Sequence, residues 1–291
     1  VVTLLFLPFA WLLEKIACTI IKDRASDAQT EGSSAPALDD RLLVSPGLAI
    51  EHTREAVIRM GELSRKNFIS AVELMRHYDE KTFERIVEHE DDVDKLEDSV
   101  ETYLLKLSHR ELSENDNRSV SHLLRTCGEF ERIADHAMNV AESAKKLKKC
   151  KSDFSKKAAE QMNAISEAVI EIMDLAIDAF RTRNFVAAGN IEPLEEVIDV
   201  MEQTLKDRHI ERLRKGKCTV DAAFPFVETL SDMERIADHC SNIGVSVLTY
   251  DSEQDVIDRH DYVHKLHKGQ TENYVDNYTG YSIKYISRIK K

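Results

Sequence analysis

The sequence predicts an all-α fold of two tandem three-helix units, preceded by the end of a transmembrane helix. Three observations lead to this prediction. The 291 residues include only nine Gly and five Pro, too few for the many turns of a sheet-based fold. Beyond Pro46, six long segments repeat apolar residues at spacings of three and four, the period of an amphipathic helix. The hexapeptide ERIADH occurs twice, at 131–136 and 234–239, which indicates an internal repeat.

Residues 1–22 begin with an apolar run that ends at Leu13. The run lacks the basic start of a signal peptide and is shorter than the roughly 20 residues that cross a bilayer. Trp11 lies near its polar edge, and Lys15 and Lys22 follow, as expected for a cytoplasmic exit. We therefore expect the end of a transmembrane helix whose beginning precedes this sequence. A buried amphipathic helix packed on the bundle is the alternative.

The rest of the chain divides by composition and periodicity. Residues 23–41 are rich in Ser, Ala and Asp and predict a linker. Residues 42–150 and 151–252 predict two three-helix units, and 253–291 predict a partly helical tail. The tail places Tyr274, Tyr278, Tyr281 and Tyr285 at helical spacing before a basic end. We expect this tyrosine stripe to pack on the neighbouring bundle, with a membrane-surface contact as the alternative.

The six helices can be placed from their apolar stripes and end signals. Ser113 is a candidate N-cap of the third helix, Ser152 of the fourth and Thr219 of the sixth, and Gly216 can end the fifth. The predicted helices contain residues 57–75, 83–107, 120–147, 162–180, 185–214 and a last segment beginning near 219. Equivalent acidic residues are 105 positions apart in the middle helices and 103 apart in the third helices, as expected for a repeat with slightly different loops.

Four of these helices carry the pattern Glu-x-x-x-Asp. The pairs are Glu90 and Asp94, Glu131 and Asp135, Glu195 and Asp199, and Glu234 and Asp238. Apolar residues flank each Glu at helical spacing, so we expect each to face partly toward the core. Like charges one turn apart disfavour an isolated helix by roughly 0.2 to 0.5 kcal/mol per pair, and burial of an unpaired carboxylate costs more. A positively charged partner is therefore expected.

A bound metal ion and a network of salt bridges are the two candidate partners. Carboxylate oxygens suit hard cations such as Mg²⁺, Mn²⁺ or Fe³⁺, and nitrogen ligands from His136 or His239 would favour iron or zinc. Arg132 and Arg235 follow the two Glu residues directly in sequence, so on a helix they point away from them and more readily reach another helix. Taken alone, the two histidines are expected to be structural.

Composition and motifs exclude several functions. The formal net charge of −13 disfavours nucleic-acid binding, which requires clustered Lys and Arg. The five cysteines are widely spaced without a CxxC pair, which favours reduced thiols. A ferritin-type oxidase requires Glu-x-x-His, and this pattern is absent from the sequence, as are the P-loop, G-x-S-x-G and H-E-x-x-H motifs. We therefore do not expect an enzyme.

Two tandem three-helix units, each with an acidic middle helix followed by ERIADHxxN, resemble the PhoU family of phosphate-uptake regulators over roughly residues 42–250. The apolar helix, the linker and the segment DDRLLVSPGLAIEHTREAVIRMGELS are similar to the C-terminal part of bacterial sodium-dependent phosphate (Na/Pi) cotransporters. The resemblance implies a pair of three-helix bundles that regulates phosphate uptake. It also implies multinuclear metal binding at the eight paired carboxylates, for which Fe, Zn, Mn and Mg are the candidate metals.

We thus expect the cytoplasmic regulatory region of a sodium/phosphate cotransporter, attached to the cell membrane. The partners that the resemblance implies are the membrane transporter domain of the same chain, with sodium and phosphate as its transported ions. Self-association into a homo-oligomer is left open. A stand-alone PhoU-type adaptor and a purely structural helical interaction domain are the alternative functions. Asn139 and Asn242, one turn beyond the acidic pairs, are expected to hydrogen-bond the carboxylates.

Overall fold

The computed structural model describes residues 38–250 and 273–289, and these ranges contain only helices and their connections. The expected end of a transmembrane helix at 1–22 lies outside the described residues. Among the helices that are described, none is sufficiently long and apolar to span a membrane.

The first unit consists of three long helices that follow a short 3₁₀ turn at Asp40–Val44. Asp79 caps the second helix by accepting a hydrogen bond from the Thr82 amide. Ser113 caps the third, as predicted, in a capping box that it shares with Asp116. The helices are α1 (Pro46–Arg76), α2 (Glu80–Ser108) and α3 (Glu114–Cys150).

The second unit differs from the prediction at two helix starts. Ser155 rather than Ser152 caps the fourth helix. The single helix predicted over 185–214 is divided at Asn190, because the side chain of Asn184 caps a separate five-residue helix and a second helix begins after Asn190. Thr219 caps the last helix, as predicted. These helices are α4 (Lys156–Thr182), α5 (Phe185–Gly189), α6 (Ile191–Arg214) and α7 (Val220–Thr249).

The described part of the tail is a helix that packs on the second unit. α8 (Tyr274–Tyr281) continues through a π-helical turn at Ser282–Ile286. Tyr274 and Tyr285 are buried, and Tyr285 hydrogen-bonds Glu171 of α4. The prediction that the tyrosine stripe packs on the bundle is therefore confirmed for these two residues.

The two units share one hydrophobic core. α3 packs on α1 within its own unit and on α7 of the other unit. Phe130 of α3 meets Phe180 of α4 edge to face, with 6.1 Å between ring centroids. α3 therefore belongs to the core of both units and holds them together.

The close approach of α1 to α3 requires a glycine at position 61. A Cβ on Gly61 would lie 2.7 Å from Cε1 of Phe130, and Phe130 is only 2% exposed. We predict that Gly61→Ala lowers the free energy of unfolding by about 1 to 3 kcal/mol through overpacking, measured by urea denaturation.

The matched control is Gly128→Ala on α3, where the nearest atom to a new Cβ would be 3.9 Å away. The higher helix propensity of Ala should leave this variant unchanged or up to about 1 kcal/mol more stable. Equal stability of the Gly61→Ala variant and the wild type would show that the packing is less tight than described.

Candidate metal centre

Acidic side chains of α2 and α3 meet on the outer face of the first unit. One carboxylate oxygen from each of Glu90, Asp94 and Asp135 lies within 4.8 Å of the others. Oxygen ligands bind hard cations at about 2.0 to 2.6 Å, so one cation between these three atoms could contact all of them. We call this group the α2/α3 acidic face. Three of the four residues predicted for the first unit are thus brought together.

Glu131, the fourth predicted residue, lies beside this face and not in the core. The apolar stripe read from the sequence runs through Leu124 and Glu131, but the inward position is taken by Phe130, which is buried, and Leu124 is 37% exposed. The predicted stripe was therefore wrong by one residue at these positions. Burial, followed by the charges of Asp135, Glu97 and Asp94, raises the pKa of Glu131 to about 7. When it is ionised, Glu131 adds negative charge to the same face.

Glu97 belongs to the same electrostatic cluster but was missed by the sequence analysis. Burial and the neighbouring carboxylates Glu101 and Asp94 raise its pKa, and burial together with Asp94 and Asp135 raises the pKa of Glu90. The internal repeat could have identified Glu97, because the same 105-residue offset places Glu202 at the equivalent position of α6.

The acidic residues of the second unit are more deeply buried. Glu195 is 8% exposed, and its burial, with Glu192, Asp199 and a hydrogen bond to Asp238, holds its pKa well above the usual range. Burial and the charges of Glu234 and Asp238 raise the pKa of Asp199 to about 7. The four predicted residues of this unit therefore lie close enough to interact electrostatically.

The two units differ in how well their acidic clusters are neutralised. In the second unit, Glu202 forms an ion pair with Lys206 one turn along α6. The equivalent positions of α2 are Glu97 and Glu101, both acidic. Within the described residues, the three-oxygen group that could hold a metal ion occurs on the α2/α3 face alone. The first unit is consequently the better candidate metal centre.

The histidines of the two ERIADH copies connect the units. Nδ1 of His239 lies 2.8 Å from Oε2 of Glu129 on α3, and Nδ1 of His136 lies 3.0 Å from Oδ1 of Asp232 on α7. Because an ionised carboxylate only accepts hydrogen bonds, each Nδ1–H donates. The two imidazole rings stack on each other with 5.6 Å between centroids. Their role in the described structure is to join the units, as expected for structural histidines.

The asparagines of the repeat complete the same contacts. Asn242 donates to Glu129 over 3.0 Å, and Asn139 donates to Asp232 over 3.4 Å. We expected these residues to bind the nearby acidic pairs, but each one binds a carboxylate of the opposite unit. We refer to the two sets of contacts as the inter-unit clamp. Burial alone would raise the pKa of Glu129, but the hydrogen bonds from His239 and Asn242 outweigh it and the pKa is lowered.

Loss of a carboxylate from the inter-unit clamp should destabilise the fold. We predict that Glu129→Ala costs about 1 to 3 kcal/mol, because His239 and Asn242 lose their acceptor. The folded-state pKa of Glu129 lies below its ordinary value of 4.5. The contribution of ionised Glu129 to stability is therefore fully present above pH 4.5. It is lost as the pH falls through the lower pKa of the folded state.

Urea denaturation over a series of pH values measures this effect. Glu142→Ala, at an exposed position of the same helix, is the control and should stay within about 0.5 kcal/mol of the wild type. A Glu129→Ala variant as stable as the control would contradict this account of the clamp. So would a stability difference between Glu129→Ala and the wild type that stays the same in acid.

The fold and its acidic faces define a tandem-repeat helical protein with a candidate ion site. The family model of the PhoU domain matches residues 57–144 and 162–247, more than half of the chain. This chain belongs to the PhoU family. The predicted all-helical PhoU-like fold is thereby confirmed, whereas attachment to a sodium-dependent cotransporter remains a prediction.

Curated relatives agree with this assignment, and a solved structure shares the fold. The chain is 21% identical over 202 residues to the phosphate-specific transport system accessory protein PhoU homolog of Clostridium acetobutylicum, covering 68% of this chain and 90% of the relative. It is 20% identical over 255 residues to YjbB of Escherichia coli K12, whose name refers to inorganic phosphate export, covering 87% of this chain and 46% of YjbB. The PhoU crystal structure from Pseudomonas aeruginosa superposes with a TM-score of 0.64 at 22% identity, covering 69% of this chain and 95% of that one.

Proposed function

We propose that this chain is a PhoU-type regulator of phosphate transport that acts by binding and not by catalysis. The observation that carries the proposal is the match of the PhoU domain to both repeats. Two relatives that are named as accessory proteins of phosphate-specific transport are matched over 90% and 88% of their lengths. Their names describe accessory proteins and not enzymes, which agrees with the expectation that this chain has no catalytic activity.

Part of the same proposal is that the α2/α3 acidic face binds a divalent or trivalent metal ion, with Fe, Zn, Mn and Mg as candidates. Glu90, Asp94 and Asp135 would hold the ion, since their oxygens converge. The bound ion would supply positive charge, which offsets the mutual repulsion of these carboxylates. Glu195, Asp199, Glu234 and Asp238 are the weaker candidate set, because Glu195 would first have to lose its proton.

The residues of the chain suggest how an ion could affect a partner. Asp135 lies on α3 and Glu90 and Asp94 lie on α2, so an ion bound by all three would tie the two helices together. α3 is also clamped to α7 through His239 and Glu129. We propose that occupancy of the acidic face sets the position of α2 and thereby the surface that the first unit offers to a transport protein.

The matches favour a stand-alone PhoU-type adaptor over a region fused to a transporter, because PhoU homologues are covered nearly in full. The second candidate is the regulatory region of a membrane transport protein at the cytoplasmic side of the cell membrane. The match to YjbB favours it, since it extends over 87% of this chain, although the chain spans only 46% of that protein. A sodium/phosphate cotransporter is the specific form of this candidate.

Metal binding should appear as thermal stabilisation. An ion present at 100 times its Kd adds about 2.7 kcal/mol, which corresponds to a rise of roughly 5 to 10 °C in Tm. We predict such a rise when Fe, Zn, Mn or Mg is added to chelator-treated protein. The Asp94→Asn/Asp135→Asn variant should lose the response, and Glu55→Gln, at an exposed position of α1, should retain it. A wild-type Tm that none of the four metals changes would refute the metal site.

Regulation of transport can be tested in cells of the source organism. Deletion of the gene should reduce the difference in radioactive phosphate uptake between phosphate-starved and phosphate-rich cells. The wild-type gene and the Glu55→Gln control should restore the difference, and the Asp94→Asn/Asp135→Asn variant should not. If the deletion leaves the difference unchanged, the proposed function is wrong whatever the metal content of the protein.

A further inference from the structure

A cavity of about 920 Å³ lies where α1 and α3 end and α4 begins. Residues of the connection at 151–154 also line it. Its apolar lining includes Val72, Leu147 and Met162, each of which is at most 6% exposed. Sites for small organic ligands typically have volumes of about 300 to 1,000 Å³ and mostly apolar walls. The cavity therefore has the size and lining of a site for an organic ligand rather than for a bare inorganic ion.

Contacts with neighbouring residues hold the aromatic side chains of the cavity in place. Phe154 meets the buried Phe226 edge to face, with 5.2 Å between ring centroids. Tyr78 donates a hydrogen bond from its hydroxyl to Glu80 over 3.0 Å. Both rings are thus positioned before a ligand binds, which lowers the entropic cost of binding one.

The charged residues of the cavity are mostly basic. Lys148, Lys151 and His77 line it and are exposed, and none of their side chains pairs with another described residue. Asp153 is the acidic residue of the lining. In a protein with a formal net charge of −13, this cavity therefore presents a local excess of positive charge, which complements an anion.

Other polar side chains of the lining are engaged within the protein. Nε and Nη2 of Arg76 donate to Oδ1 of Asn163 over 2.9 and 2.6 Å. The hydroxyl of Ser152 lies 2.9 Å from that of Thr219. The groups left open are therefore chiefly ammonium groups and apolar surface, which suit a ligand with a negative charge and an apolar body better than a nucleobase or a sugar.

The helix dipole is a competing explanation for the basic residues alone. Arg76 and Lys148 lie in the last turns of α1 and α3, where cations complement the partial negative charge of a helix C-terminus. The dipole does not explain the apolar cavity beside them, because apolar side chains are stabilised by close contact and not by an open space. An amphipathic anion accounts for both features.

We propose that this cavity binds a long-chain carboxylate, with the chain against Val72, Leu147 and Met162 and the carboxylate at Lys148 and Lys151. Removal of the acyl chain from water favours binding, and the two ammonium groups select an anionic head over a cationic one. The cavity shares no residue with the three-carboxylate group of the α2/α3 acidic face. The proposal therefore goes beyond the proposed function and does not depend on it.

The experiment is isothermal titration of the full chain with sodium dodecanoate below its micelle concentration. A chelator is present, so that the carboxylate cannot bind through a metal ion. Sodium acetate tests the head alone, dodecyltrimethylammonium tests the chain with the opposite charge, and ATP represents nucleotides. Dodecanoate should bind in a 1:1 complex with an affinity that falls as the salt concentration rises. The other three should show no saturable binding.

Lys148→Glu should weaken dodecanoate binding about three- to tenfold, because repulsion replaces attraction at the head. Lys149→Glu is the matched control, since Lys149 is the exposed neighbour on α3 and does not line the cavity. This control should bind as the wild type does. Ala159→Trp places a large side chain in the cavity and should weaken binding at least about fivefold. Without dodecanoate, the Tm of Lys148→Glu should stay within about 3 °C of the wild type, so its weaker binding cannot be attributed to unfolding.

Absence of dodecanoate binding overturns the proposal. So does equal affinity in the wild type, Lys148→Glu and Ala159→Trp, which would place the ligand elsewhere, such as at the apolar residues 1–13 that all variants share. Equal binding of dodecyltrimethylammonium overturns the role of the lysines, and saturable binding of ATP that Lys148→Glu weakens overturns the assignment to an acyl chain. None of these titrations measures phosphate uptake, so failure of this site and failure of the proposed function are distinguishable.

Discussion

The reciprocal hydrogen bonds between α3 and α7 are the constraint on which the arrangement of the two units depends. His239 and Asn242 of one repeat hold Glu129 of the other, and His136 makes the equivalent contact with Asp232. The same short sequence motif thus supplies the donors on both sides of the interface. α3 also packs on α1. The clamp therefore fixes the position of α3, the helix that shares the acidic face with α2.

The clamp also explains why the pKa of one buried carboxylate of α3 is lowered while that of a nearby one is raised. Glu129 is buried but has an imidazole and an amide as donors, so its pKa is lowered. Glu131 lies two residues away on α3, where burial and further carboxylates raise its pKa to about 7. The motif therefore provides hydrogen-bond donors for one set of acidic residues, and we propose that a ligand neutralises the second set, on the opposite side of the helix. A cation is the natural ligand for three converging carboxylate oxygens.

Local periodicity and the repeat were sufficient to predict the helices, the four Glu-x-x-x-Asp pairs and the first-unit group of Glu90, Asp94 and Asp135. The stripe through Glu131 was wrong by one residue because Phe130 and Glu131 are neighbours, and only tertiary packing decides which of them faces inward. The clamp could not be predicted, since Glu129 and His239 are 110 positions apart and nothing local pairs them. The division at Asn190 was missed because the apolar pattern runs through it.

Anomalous X-ray diffraction tests the central claim most directly, because it locates bound ions without assuming their ligands. Crystals grown with Mn²⁺ or Zn²⁺ should show an anomalous peak within coordination distance of Glu90, Asp94 and Asp135. They should show none between Glu129 and His239, where the hydrogen bond already satisfies the carboxylate. A peak at the clamp, or an acidic face whose carboxylates are paired with arginines and hold no ion, would contradict the division of roles between the two sets of acidic residues.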